Sequence, residues 1–244
     1  MNTQNKNTFL FIGAHPDDET QIAGTMALLS RNGFDVFAYI TTPGRCGKPN
    51  SDEETASEEK ILEDRKKEAD IFAREIGITT YVNDNKTQFL ENSEEDILNL
   101  VKYIRRIKPN IIVLQNSGDY HFEHILSHKL GLLAVEISMR SMLLEYGPKI
   151  KDVVLLEADG LNVLANPSIF FNISSVQQIK SRAINKAYGE RLGTLTQLDE
   201  GLSMMRGGRI GVRDAEAFSL LNPSWYRFTA GAAKVLQDFL KIGS

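Results

Sequence analysis

Short apolar runs that end in glycine or a polar turn, each followed by a stretch with helical spacing, recur along this chain as far as Tyr146. That alternation predicts a mostly parallel sheet with helices on both faces, because parallel neighbours need long crossovers and right-handed crossovers put helices on either side. Thr8-Phe9-Leu10-Phe11-Ile12, ended by Gly13, reads as a buried strand. Ile22, Met26 and Leu29 suit a helix from about Asp18 to Asn32, stopped by Gly33. Val36 to Ile40 and Tyr81-Val82 read as strands, and Glu53 to Ile76, closed by Gly77, as a helix between them. Pro43 to Asn50 is too dense in glycine and proline for either regular structure. A helix from Glu94 to Ile107, a strand at Ile111 to Leu114 and a helix up to about Tyr146 continue the pattern.

Beyond Gly147-Pro148 the rhythm changes. Val153 to Leu156 and Ile169 to Phe171 suggest further strands, with helices near Ser174 to Tyr188 and Thr229 to Leu240. Met204 to Gly211, basic and glycine-rich, reads as a loop, either a lid over the site or a subunit contact.

The 244 residues fit one domain, 1–244, since α/β folds of this length often stay undivided. A net charge of −4 offers no general attraction to polyanions, which argues against nucleic acid as a partner. Cys46 is the single cysteine, so no intrachain disulfide forms. The polar start, Met1 to Asn7, precedes an apolar run too short for a signal sequence or a membrane span. A soluble cytoplasmic protein is the expectation, with a homo-oligomer left open.

All four histidines fall in two places: His15 in Ala14-His15-Pro16-Asp17-Asp18-Glu19, and His121, His124 and His128 in Asp119 to His128. Each group follows an apolar run and carries carboxylates, and imidazole with carboxylate is the ligand chemistry of a zinc-type ion. Both groups come directly after strands, where open α/β sheets bind ligands. The pattern predicts a split mononuclear metal site built from two distant segments. Pro16 restrains His15 to an extended backbone while the acids enter a helical first turn. One acid can ligate the ion while its neighbour faces water; alternatively, the acids simply favour a helix N-terminus. His121 and His124, three apart, share a helix face. His128 lies one turn further on, but His124-Ile125-Leu126-Ser127-His128 lacks the glutamate of an H-E-x-x-H helix, which favours a structural or supporting role for it.

Together, the first motif and His121-x-Glu123-His124 resemble the PIG-L/LmbE family of metal-dependent N-deacetylases. Thr42-Pro43-Gly44, Arg65-x-x-Glu68 with Ile76-Gly77, and Ala215-Glu216-Ala217-Phe218 add to the resemblance. What it implies is a Rossmann-like fold and a zinc ion held by His15, Asp18 and His124, with Fe²⁺ or another divalent ion as alternatives. It further implies Asp17 as general base, His121 as oxyanion stabiliser or general acid, and an N-acetylglucosaminyl small molecule as substrate. Phe122 and Glu123 stand where the family commonly has proline and aspartate; Glu123 keeps a charge able to orient His121, with a longer reach. Arg45 replaces a frequent glutamate and reads either as selecting an anionic or electron-rich aglycone or as a solvated loop arginine. Arg65 reads either as a sugar contact or as a helix salt bridge.

Two other functions compete with deacetylation. One is an amidase acting on a larger sugar or thiol conjugate; the other is a sugar- or nucleotide-binding module that keeps a metal without turnover. No G-x-G-x-x-G follows the first strand, and the acidic turn there would repel a pyrophosphate. Asp17 and His121 favour an enzyme, since neither is needed simply to hold an ion.

Overall fold

The computed structural model describes residues 7–44, 56–84 and 93–244. Among these residues seven strands form one sheet: β1 (Thr8–Gly13), β2 (Asp35–Ile40), β3 (Thr79–Val82), β4 (Ile111–Leu114), β5 (Val154–Ala158), β6 (Ile169–Asn172) and β7 (Ala215–Leu220). Their order is β3-β2-β1-β4-β5-β7-β6. The first five pair in parallel, and β7 runs antiparallel to both β5 and β6. The mostly parallel α/β sheet read from the alternation is therefore the fold. Chain direction across the sheet reverses between β1 and β4, which makes a crevice at their carboxyl ends.

The helices are α1 (Ala23–Arg31), α2 (Glu58–Ile76), α3 (Glu94–Ile107), α4 (Phe122–Met139), α5 (Gln177–Tyr188), α6 (Leu195–Gly208) and α7 (Ala230–Ile242). Strand residues alternate between two cores, as the period of two requires. Phe9, Phe11, Val113 and Leu156 pack with Met26, Phe72, Ile184 and Phe239 from α1, α2, α5 and α7. Leu10, Ile12, Ile112 and Leu114 pack with Leu100, Ile104, Leu130 and Val135 from α3 and α4. Helices thus cover both faces. Among the described residues no helix is long and apolar enough to cross a membrane.

Four expectations need correction. The helix anticipated from Asp18 opens as a 3-10 turn, Asp18–Ile22, before α1 begins. The helix expected to reach Tyr146 stops at Met139. There the buried Arg105 guanidinium takes the carbonyls of Ile137 at 2.9 Å, Arg140 at 3.3 Å and Met142 at 2.5 Å, together with that of Leu143, and so satisfies acceptors a longer helix would bond itself. Residues 204–208 are not loop but the last turns of α6. Gly207 is there for close approach: a Cβ would meet the Arg213 carbonyl oxygen at 2.6 Å. The fourth is β7, which was not anticipated as a strand. The start of the Glu53 helix lies outside the described residues, and α2 is capped by Ser57, whose side chain accepts from Lys60 N.

Candidate functional site

The first motif leaves β1 at the reversal point. Ala14 N donates to Gln115 Oε1 at 2.9 Å, and Thr42 N donates to Ala14 O at 3.0 Å, so the strand end is pinned to both neighbours. His15 N then donates to Asp18 Oδ2 at 2.6 Å, which closes a tight turn. Asp17 sits inside it at φ 123°, a conformation that costs a non-glycine residue about 1–3 kcal/mol. The turn is held by Thr20, whose N and Oγ1 donate to Asp17 O at 3.0 and 2.6 Å. Asp17 N donates to Glu19 Oε2 at 3.0 Å, and Tyr188 Oη donates to Glu19 Oε1 at 2.5 Å. Burial pushes the Glu19 carboxyl up to about 7.

The second motif follows β4. Asp119 Oδ1 accepts from His121 N at 2.9 Å, and its Oδ2 lies 3.2 Å from His124 Nδ1. His121 is the N-cap of α4, and His124 is buried one turn inside it. Both segments meet: His124 Nε2 lies 3.2 Å from Asp18 Oδ1, and His15 Nε2 is 2.7 Å from Glu123 Oε2. Ligand-capable atoms of His15, His121 and His124 all lie within 4.8 Å of one another. Gly44, at φ +68°, lies against the His15 ring, 3.2 Å from where a Cβ would stand.

This donor set fits a zinc-type ion. Ring nitrogens of His15 and His124 flank the Asp18 carboxylate, with His124 Nε2 3.2 Å from Asp18 Oδ1, while His121 Nδ1 is buried without a hydrogen-bond partner among the described residues and so keeps a ring nitrogen for another group. The Asp119 carboxylate behind His124 is the kind of partner that orients a ligating imidazole. We expect Asp119→Ala to weaken zinc binding by about 10–100-fold, read by competition with a chromophoric chelator. Unchanged affinity would remove Asp119 from that role.

Charges around the cluster are unevenly shared. Burial alone would lower the His15 pKa, but the Glu123 hydrogen bond and the Asp18, Glu123 and Asp17 charges outweigh it and hold it above the ordinary value. His121 is held below the ordinary value by burial and by the His124 and His15 charges, which favours its neutral form. Burial raises the Asp17 carboxyl, and Arg191 works against that shift from 3.0 Å.

A cavity of about 770 Å³ opens over these groups, with His15, Asp17, Asp18, His121, Glu123 and His124 in its lining. Arg65 also lines it, and its guanidinium is 3.3 Å from Glu68 Oε1 on the same helix, the salt bridge that was one of its two readings. His128 is outside the cavity lining, and its Nδ1 lies 2.7 Å from Gln115 O. Arg45 lies outside the described residues.

Two neighbours of the cluster were not assigned from the sequence. Asp119 carried a visible signal, an acid two places before His121. Arg191 carried none: it comes from the α5–α6 connection and reaches Asp17, Glu68 Oε2 at 3.0 Å and the Pro16 carbonyl at 3.0 Å. The Glu216 of the Ala-Glu-Ala-Phe match has a role the sequence did not disclose. It accepts from Gly24 N at 2.8 Å and Thr25 N at 2.7 Å, where α1 begins.

Known proteins bear on this geometry. A mycothiol S-conjugate amidase of Streptomyces coelicolor is 30% identical over 147 residues, covering 51% of this chain and 50% of that enzyme. The chain thus spans only about half the length of this relative. The solved N,N'-diacetylchitobiose deacetylase of Pyrococcus horikoshii superposes with a TM-score of 0.77 at 22% identity, covering 93% of this chain and 88% of that one. The 4-carboxy-2-hydroxymuconate hydratase of Pseudomonas putida also gives 0.77, at 21% identity, over 92% of this chain and 100% of its own. At such identities the two structures establish a shared fold, and a hydratase beside a deacetylase means the fold alone does not select the reaction. The PIG-L family, described as GlcNAc-PI de-N-acetylase, matches residues 10–135, which hold both histidine motifs and run into α4, and the chain belongs to that family.

Proposed function

We propose that this chain is a zinc-dependent N-deacetylase that removes acetate from an N-acetylglucosaminyl-type small molecule and leaves a free amine. The observation that carries the reading is the convergence of His15, His121 and His124 within 4.8 Å, beside Asp17 and Asp18, on a cavity of about 770 Å³. The family, described as GlcNAc-PI de-N-acetylase, supports the substrate class. The same reading treats 1–244 as one catalytic domain, and the single seven-stranded sheet supports it.

His15, Asp18 and His124 would hold the ion; when bound, it supplies Lewis acidity, acidifying water and polarising the amide carbonyl. Asp17 Oδ2 is engaged by Arg191, which leaves Oδ1 to take the proton of the attacking water. His121, its neutral form favoured, offers an N–H to the developing oxyanion, which a low-dielectric site makes effective. The proton on Asp17 then passes to the departing amine, so that one amide and one water become acetate and amine. The strained Asp17 backbone favours an enzyme over a binding module, because holding an ion does not require it. A second reading, an amidase for a larger sugar or thiol conjugate, draws support from the Streptomyces likeness.

A free-amine release assay over N-acetylglucosaminides and larger amide conjugates, with and without chelator, tests both. We expect release from N-acetylglucosaminides, loss with chelator and return with added zinc. Release that persists fully in metal-free protein would overturn the metal-dependent reading. His121→Ala separates roles: turnover falls more than zinc affinity if it serves the oxyanion, and the reverse makes it a ligand.

A further inference from the structure

The cavity has a polar floor and an apolar mouth. His124 and Asp18 at the floor are 3% and 5% exposed, whereas Leu161 and Leu198, which line the same cavity, are 52% and 69% exposed. Leu192 and Leu195 continue the apolar lining, partly buried against the core. Leucines left this open at a cavity mouth are the kind of surface that binds an apolar ligand group.

These leucines are fixed relative to the floor. On α6 the residues facing the protein, Asp199 and Arg206, are tied by ion pairs to Lys180 at 2.9 Å and to Asp159. The helix is thereby set with Leu195 and Leu198 in the cavity lining. The connection before it is anchored to the first motif by Arg191 on Asp17. Leu161 sits beside Asn162, whose Nδ2 donates to Gly118 O at 2.8 Å and whose carbonyl accepts from Asn116 Nδ2 at 2.6 Å. Both apolar elements are thus pinned to the loops that carry the histidines and acids.

We infer that the site takes an amphipathic substrate, in which the amino sugar carries an apolar aglycone that lies along Leu161, Leu192, Leu195 and Leu198. The inference rests on the deacetylase reading above. Amide chemistry places the acyl carbon among the floor residues, and an acetyl group ends there. What reaches the exposed leucines is carried by the ring at another position. A cavity of about 770 Å³ lies within the range of sites for ligands well beyond a single sugar ring.

Methyl, propyl and hexyl β-glycosides of N-acetylglucosamine test this with wild type and with Leu161→Ser and Leu198→Ser. A fully buried methylene is worth roughly fourfold in affinity, so a chain against a half-open wall gives about twofold each. The hexyl-to-methyl ratio of kcat/KM is therefore expected to be on the order of 30 in wild type. It should fall several-fold in either variant; taking a ratio within each protein cancels any general loss of activity. Activity on the methyl glycoside with a ratio near one overturns the apolar subsite and leaves deacetylation standing. If no glycoside turns over, calorimetry with hexyl and methyl β-glucosaminide reads the same ratio as affinity, and equal affinities overturn it too. A gain seen with an N-hexanoyl group in place of the alkyl aglycone, and not with the aglycone, overturns the assignment to the aglycone side. Variants that change the sedimentation of the protein and leave the ratio intact would make the leucines a contact between copies instead.

Discussion

Asp17→Asn protein is expected to bind zinc as the wild type does and to turn over on the order of 10²–10⁴-fold more slowly, the usual range for a positioned general base. Asparagine is nearly isosteric, and its amide oxygen can still accept from Arg191, 3.0 Å away. It also tolerates positive φ better than most residues, so the backbone at 123° is not strained further. The substitution therefore removes the proton acceptor and little else. Metal content by elemental analysis and the melting temperature serve as controls. Turnover close to wild type would take Asp17 out of the chemistry, and loss of zinc would recast it as a ligand.

Lys180→Met is expected to lower stability by about 3–5 kcal/mol, the range for leaving buried charge without its partner. Lys180 is 1% exposed and reaches Glu216 Oε1 at 2.7 Å and Asp199 Oδ1 at 2.9 Å. Methionine fills the space but leaves two carboxylates facing each other in the interior. At roughly 2–4 °C per kcal/mol for a chain of this size, the melting temperature falls by about 10 °C. The sign with pH follows from linkage. Burial already raises Asp199 to about 6 although the lysine works against that shift, and without the lysine Asp199 titrates higher. An acid whose folded pKa lies above its unfolded one costs stability once it ionises, so the deficit narrows as pH falls. Adding Asp199→Asn and Glu216→Gln to Lys180→Met should recover part of the loss at neutral pH. An unshifted melting curve for Lys180→Met would mean the buried charges are not the support described.

Much of this molecule was legible where local pattern and tertiary role agree. β1 and β4 are continuous apolar runs because both of their faces are covered. α3 begins and ends as its pattern implies, with Ser93 and Asp96 forming a capping box and Lys108 in the left-handed conformation at its end. The two histidine groups met as anticipated because each follows a strand beside the reversal point. The misses share a cause, residues satisfied by partners far along the chain. Glu216 makes β7 look unlike a strand until its partners, Lys180 and the start of α1, are seen. Gly207 resembles a loop residue and is instead a contact point inside a helix. Arg105 ends α4 from another helix, and Arg191 reaches the acidic turn from the α5–α6 connection. No sliding window contains both members of such pairs.

The position of β7 between β5 and β6 bears on how the protein assembles. Among the described residues β6 pairs in the sheet with β7 alone, so its four residues wait through more than forty intervening positions before they can pair. Contacts of that sequence separation form slowly, because the connecting chain must be ordered first. On a ribosome both histidine motifs emerge well before Arg191, which steadies the acidic turn, and Glu216, which holds the start of α1. An emerging chain thus presents its histidines and paired acids early, while the partner that steadies their turn from the α5–α6 connection arrives later.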